Sequence, residues 1–395
     1  MMQSAKPSRY AYLDALRGIA ALAVVFHHCL LTFPVWEQPY AGSMLVALLF
    51  YTPLRLLWAG QAAVIVFFAL SGFVLTVMLT RREPLTWTGF LVKRVCRIYL
   101  PYLFIVSAGI ALMVSFRARG IAGLSNWFNS SWTHPICRAL LLDHALMLGD
   151  SAWNYVDNPI WSLVHEMRYS LVFPVIVWIA KRARAQHALA GSFAISIAAL
   201  GGLHLLPRNQ VLDSLQYLFV FVAGAELAIH RDAVQDWYRQ RTSGIRRLLL
   251  ALALLLLSAN GLPHRHAFAA VLLVNVIGTY LGAALLLICL TGARSGRAFL
   301  ERPALLFLGR ISYSLYLSHL LVLLSLLYGF EGIVPPTVLI WLVPPAAVVV
   351  AALLYSSIEK PAMVLGENLR RCLMAPRGSF QPSPDNTDAL AQRVI

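Results

Sequence analysis

The sequence predicts an all-α integral membrane protein of about ten transmembrane helices, and three observations carry that prediction. Of the 395 residues, 59% are hydrophobic and only 12% are charged, about half the charged fraction of a soluble domain. The mean hydropathy is +0.70. Apolar runs approaching the roughly 20 residues that cross a bilayer recur along the chain. Lysines and arginines gather in alternate connections between these runs, the signature of cytoplasmic loops.

Runs bounded by charge, Pro or Gly place the spans near 12–31, 61–80, 98–116, 161–180, 188–206, 211–229, 248–263, 267–291, 311–330 and 337–357. The first follows Lys6 and Arg9 and is succeeded by no cleavage site, so it reads as a retained helix rather than a signal peptide. The second is "QAAVIVFFALSGFVL", in which Ser71 and Gly72 permit close helix approach. The third follows "KRVCRIYLP", and the fourth opens at "NPIWSLVHEMRY". Around the next four, basic residues gather before the fifth span at Lys181, between the sixth and seventh at Arg231 and Arg246, and after the eighth at Arg294; the ninth carries "GRISYSLYLSH", and the tenth ends at "IEKP". Stretches 43–58 and 136–148 are short and interrupted by Pro53 and Arg55, or by Arg138 and Asp143, and read as re-entrant or interfacial.

An even number of spans and the basic bias together place both termini in the cytoplasm. The expected organisation is a short cytoplasmic segment over 1–11, one transmembrane domain over 12–361, and a cytoplasmic tail over 362–395 that is polar and partly disordered beyond about 376. A net charge of +15 is explained by such loops without invoking nucleic acid. Five cysteines are scattered without CxxC spacing, and only Cys137 falls in an external loop, so no disulfide framework is expected.

Ionisable side chains inside spans are costly and mark function. In "LDALRGIAALAVVFHH" Arg17 and His28 are eleven residues apart, which is three helical turns plus about 20°, so they share a face about 16 Å apart along the axis. Asp14 lies one turn before Arg17, and His27 is turned about 100° away. Taken singly, Arg17 reads as a snorkelling anchor and His28 as a core histidine; as a pair on one face they read as functional. Arg94 and Arg97, three apart, are either a positive-inside anchor or a phosphate clamp. In the fourth span Trp161 sits at the outer interface, with His165 and Glu166 one to one and a half turns deeper. Glu166 and Tyr169 share a face, and a carboxylate there needs a partner or a proton. His319, with Tyr316 one turn before it, lies near mid-membrane in the ninth span.

No phosphate-binding glycine loop, metal-ligand spacing or HxxxxD element occurs in the sequence, and no metal site is expected.

Taken in order, "LDALRGIAALAVVFHH", "FFALSGF", "RVCRIYLP", "WSLVHEMRY", "SYSLYLSH" and "IEKP" resemble the membrane-bound acyltransferase family 3, in its stand-alone form without an appended esterase-like domain. The resemblance spans nearly the whole chain. It implies transfer of an acyl group, ordinarily acetyl, from cytoplasmic acyl-CoA to a hydroxyl of an extracytoplasmic or membrane-presented glycan. It implies no bound cofactor, a bacterial inner-membrane location, and acyl-CoA, a glycan or glycolipid and the bilayer as partners. A second copy of the chain stays open as a partner.

By position, Arg17 and His28 inherit the essential pair, Arg94 and Arg97 the RxxR role, and Glu166 the fourth-span acid. His28 is then the general base or an acyl carrier, and Arg17, Arg94 and Arg97 hold the donor phosphates. Glu166 and Tyr169 orient the acceptor or the histidine from the outer side, with Asp14, Trp161, Tyr316 and His319 in support. Arg168 departs from expectation and is placed to neutralise Glu166. The alternative from another class is a transporter or flippase for an anionic or lipid-linked sugar, using the same residues as a path.

Overall fold

A computed structural model describes residues 10–36, 52–81, 85–147, 153–207, 209–258, 272–293 and 295–374, with Met44 and Leu49 as single positions. Among these there is no β-strand, and nine helices are long and apolar enough to cross a membrane. The chain is an all-α polytopic membrane protein. Of the ten expected spans, the one at 248–263 corresponds to a 16-residue helix ending at Ser258, after which 259–271 lie outside the described residues.

The principal helices are α1 (Ala11–Leu31), α2 (Gly60–Leu79), α3 (Trp87–Phe116), α4 (Trp161–Ala180), α5 (Ala185–Leu205), α6 (Gln210–Leu215), α7 (Leu218–Ile229), α8 (Ser243–Ser258), α9 (Gly278–Gly292), α10 (Pro303–Arg310), α11 (Ser312–Gly329), α12 (Pro336–Leu354) and α13 (Lys360–Met374). Helix α1 packs against α2, α10 and α11. α2 and α11 are predominantly apolar and mostly buried, as helices enclosed by other helices are. Helices α4 and α12 turn Val172, Trp178, Trp341 and Leu353 outward, where bilayer hydrocarbon covers them.

Close contacts fix this packing. A Cβ on Gly72 of α2 would lie 2.2 Å from the Phe221 carbonyl oxygen of α7, so only glycine admits that approach. Likewise a Cβ on Gly18 of α1 would lie 2.5 Å from the backbone nitrogen of Gly309 on α10.

Two boundaries differ from the sequence reading. Helix α3 starts at Trp87, where Thr86 caps it by accepting from the Gly89 amide at 3.2 Å. The RxxR segment is therefore the first part of a spanning helix, and Arg94 is buried inside the bundle rather than held in a loop. After α12, a π turn over Tyr355–Glu359 leads directly into α13, so helix runs through the boundary expected at 361. Helix α13 lies on α3, where Glu367 pairs with Lys93 at 3.1 Å and Arg370 at 2.6 Å. The expected polar tail beyond 376, like the N-terminal segment 1–9, lies outside the described residues.

Candidate active site

The intact helix α1 holds Arg17 and His28 on one face, near opposite ends of the bundle. At the His28 end, a cavity of about 440 Å³ is lined by Val24, His27, His28, Leu31, Gly60, Gln61, Val64, Trp127, Asn158, Trp161, Asp213, Tyr217 and Tyr316. The His28 ring is held on two sides. Trp127 stacks on it with centroids 5.2 Å apart and planes within 15°, and His319 meets its edge, with centroids 5.0 Å apart and Nε2 2.9 Å from His28 Nδ1. Trp127 is there because Ser125 ties its loop to the end of α1. The Ser125 hydroxyl donates to Leu31 O at 2.6 Å, its amide donates to Thr32 O at 3.0 Å, and the same hydroxyl accepts from the Phe128 amide as a helix cap. Tyr316 donates to Pro159 O at 2.8 Å and lies 2.7 Å from Ser162 Oγ, which fixes one wall of the cavity.

Three side chains of the fourth-span motif reach across to α6. Arg168 donates to Gln210 O at 3.0 Å, Gln210 Oε1 at 2.8 Å and Ser214 Oγ at 2.9 Å. Tyr169 donates to Ser214 O at 2.8 Å, and His165 lies 3.1 Å from Ser214 Oγ and 3.4 Å from Asp213 Oδ2. This brace presents Asp213 and, just beyond α6, Tyr217 to the cavity. Arg168 therefore does not neutralise Glu166. One residue is about 100° of helix, so Arg168 and Glu166, two apart, project on different sides of α4.

Glu166 points away from the cavity, toward the arginines. Its Oε1 accepts from Arg94 Nη2 at 2.7 Å and from Ser71 Oγ at 3.0 Å, while Arg94 Nε donates to Ser170 Oγ at 3.0 Å. Glu166 and Tyr169, expected to act together, thus diverge: the carboxylate meets α2 and α3, and the phenol meets α6. Arg94 is occupied by this buried pair. Arg17 and Arg97 are half-buried nearby, within electrostatic reach of each other and of Asp14, and Arg17 also of Glu166, yet neither makes a hydrogen bond or ion pair with a described residue. Glu359 of the π turn is buried beside them and accepts from Ser314 Oγ at 2.6 Å. None of these arginines lines the His28 cavity, so the two centres are separate in this structure.

The fold therefore gathers the predicted residues into two groups. His28, His319, Tyr316 and Trp161 lie at or against the cavity, while Arg17, Arg94, Arg97, Asp14 and Glu166 cluster at the other end; Tyr169 joins the brace. Sequence reasoning missed Trp127, Asp213, Tyr217, Asn158 and Gln61 in the cavity and Ser71, Ser170 and Glu359 in the charged cluster. Ser71 stood inside a quoted motif, but its hydroxyl had no visible partner until the carboxylate of α4 came beside it. Trp127 sits in a connection with no periodicity to read, and Asp213 stands at the start of the sixth expected span, where the sequence showed nothing that it would face.

A family profile described as an acyltransferase domain matches residues 10–356. The chain is similar to nodulation protein 10 of Rhizobium leguminosarum bv. viciae, with 27% identity over 375 residues, covering 90% of this chain and 94% of the relative. No solved structure matches. With the profile covering every span up to the π turn after α12, the chain belongs to the membrane-bound acyltransferase family 3 and is a multi-pass membrane acyltransferase.

Proposed function

We propose that the protein moves an acyl group, acetyl in the ordinary case, from acyl-CoA at the Arg17 end to a hydroxyl of a glycan or glycolipid at the His28 end. The observation that carries this reading is the pairing of the two centres on one face of α1. Two guanidinium groups with no hydrogen bond or ion pair to a described residue stand at one end, and an imidazole edge faces an aromatic-walled cavity at the other.

The Arg17 end is the cytoplasmic one in this reading, because the basic connections collect there. Arg17 and Arg97 supply the charge for the donor phosphates. Arg94 is held by Glu166 and keeps α3 and α4 in register around them. The separation of about 16 Å between Arg17 and His28 suits the pantetheine arm, which carries the thioester inward from the phosphates. In the cavity, Trp127, Trp161, Tyr217 and Tyr316 offer flat apolar faces to sugar rings, and Gln61, Asn158 and Asp213 offer hydrogen-bonding groups to hydroxyls. His28 takes the proton of the attacking hydroxyl. The inner membrane of a bacterium is the compartment in which such a donor and acceptor face each other.

Purified protein in liposomes, given acetyl-CoA and a panel of surface glycans, tests the reading. Release of free CoA together with an acetylated glycan is the expected result. Movement of the glycan across the bilayer without CoA release would establish the transporter alternative in its place.

A further inference from the structure

We infer that His319 is a positioning residue that fixes the tautomer of His28, so that the nitrogen facing the cavity carries the lone pair. The inference rests on the reading of His28 as the base and deepens it.

The argument begins one helical turn before His319. Its Nδ1 lies 3.1 Å from the Leu315 carbonyl oxygen, an atom that only accepts, so Nδ1 carries the hydrogen. A neutral imidazole has one N–H and one lone pair, so the lone pair of His319 is on Nε2. That atom lies 2.9 Å from His28 Nδ1. Two lone pairs cannot make this contact, so His28 Nδ1 is the donor and His28 Nε2 is left as the acceptor. His28 Nε2 makes no hydrogen bond among the described residues, and the ring borders the cavity. Stacking of Trp127 on the ring holds its plane, so the basic nitrogen is presented without a search among rotamers. The carbonyl, His319 and His28 thus form a chain that runs from the backbone of α11 to the reacting hydroxyl.

During transfer, the acceptor O–H bond breaks as its oxygen bonds to the thioester carbon, and the proton goes to His28 Nε2. His28 is then an imidazolium, and its Nδ1–H bond to His319 becomes charge-assisted and stronger. As the C–S bond breaks, the departing thiolate takes the Nε2 proton, and both histidines return to their neutral forms. His319 touches no reacting atom. It acts by holding one proton on the far side of His28.

Two substitutions and one spectroscopic measurement test the chain. In His319→Gln the amide oxygen can still accept from His28 Nδ1, whereas His319→Leu offers nothing. Relative to wild type, kcat for acetyl-CoA turnover is expected to stay within about tenfold in the Gln variant and to fall by about 10²- to 10³-fold in the Leu variant, the scale of a lost general base. The donor KM is expected to hold within about twofold in both, because the arginine end is untouched. Independently of turnover, ¹⁵N spectra of histidine-labelled wild type, with His28 assigned by loss of its signal in His28→Gln, should show the hydrogen on His28 Nδ1. A Leu variant as fast as wild type, or a wild-type His28 protonated on Nε2, overturns the inference. A wild-type protein that shows the Nδ1–H tautomer but never consumes acetyl-CoA would sustain the chain and defeat the acyl-transfer reading.

Discussion

At the scale of single residues, His28 and the Arg94–Glu166 pair have opposite characters. His28 has an open edge, so removing it should cost activity and not folding. His28→Ala is expected to lower turnover by roughly 10²- to 10⁴-fold while the detergent-solubilised protein keeps its yield and helicity by circular dichroism. Arg94 and Glu166 face each other at 2.7 Å inside the bundle, and breaking such a pair strands a buried charge. Arg94→Leu alone should lose about 3–5 kcal/mol, and the double variant Arg94→Leu with Glu166→Leu should recover part of it, read from thermal melts in detergent.

Asp157, just before the cavity residue Asn158, is fully buried with neither carboxylate oxygen hydrogen-bonded to a described residue, and burial raises its acid well above the usual carboxylate range. The folded protein keeps this proton at pH values where the unfolded chain has released it. That contribution favours the fold only at low pH and is lost as pH rises from about 4 upward. Asp157→Asn, which copies the neutral form, is therefore expected to melt a few degrees higher than wild type near pH 8, with the gap closing toward about pH 4.

At the scale of elements, the brace between α4 and α6 assigns a task to a motif whose chemistry the sequence left open. His165, Arg168 and Tyr169 hold α6, and α6 brings Asp213 to the cavity. Arg168→Met removes three hydrogen bonds to Gln210 and Ser214. On the proposed function it is expected to raise the KM for the glycan several-fold while leaving the KM for acetyl-CoA unchanged, because Arg17 and Arg97, proposed to hold the donor, belong to other helices. Equal loss for both substrates would place α6 outside acceptor binding. The helices of the family motif were legible in the sequence because apolar length announces a span. The brace was not, because hydrogen bonds between α4 and a six-residue helix some 40 positions later depend on how two spans pack.

At the scale of the whole molecule, the charge bias predicts an orientation. Cys137 and Cys372 are free and exposed, the first in a connection read from the sequence as external and the second on α13. In cells carrying variants with one cysteine each, a membrane-impermeant maleimide should label Cys137 from outside. It should reach Cys372 only after permeabilisation. The reverse pattern would turn the protein over and place the arginines on the acceptor side.

The sequence by itself determined the all-α membrane class, the approximate spans and the shared face of Arg17 and His28, since each follows from apolar length and the 3.6-residue period within one segment. It also carried the family, through six short motifs in order. Only the tertiary structure decided what each charge meets. Arg94 and Glu166 are 72 residues apart in sequence and His28 and His319 are 291 apart, and no local rule specifies which helices lie side by side. The physical reason is that a buried polar group must find a partner wherever packing brings one, and packing is a property of the whole bundle.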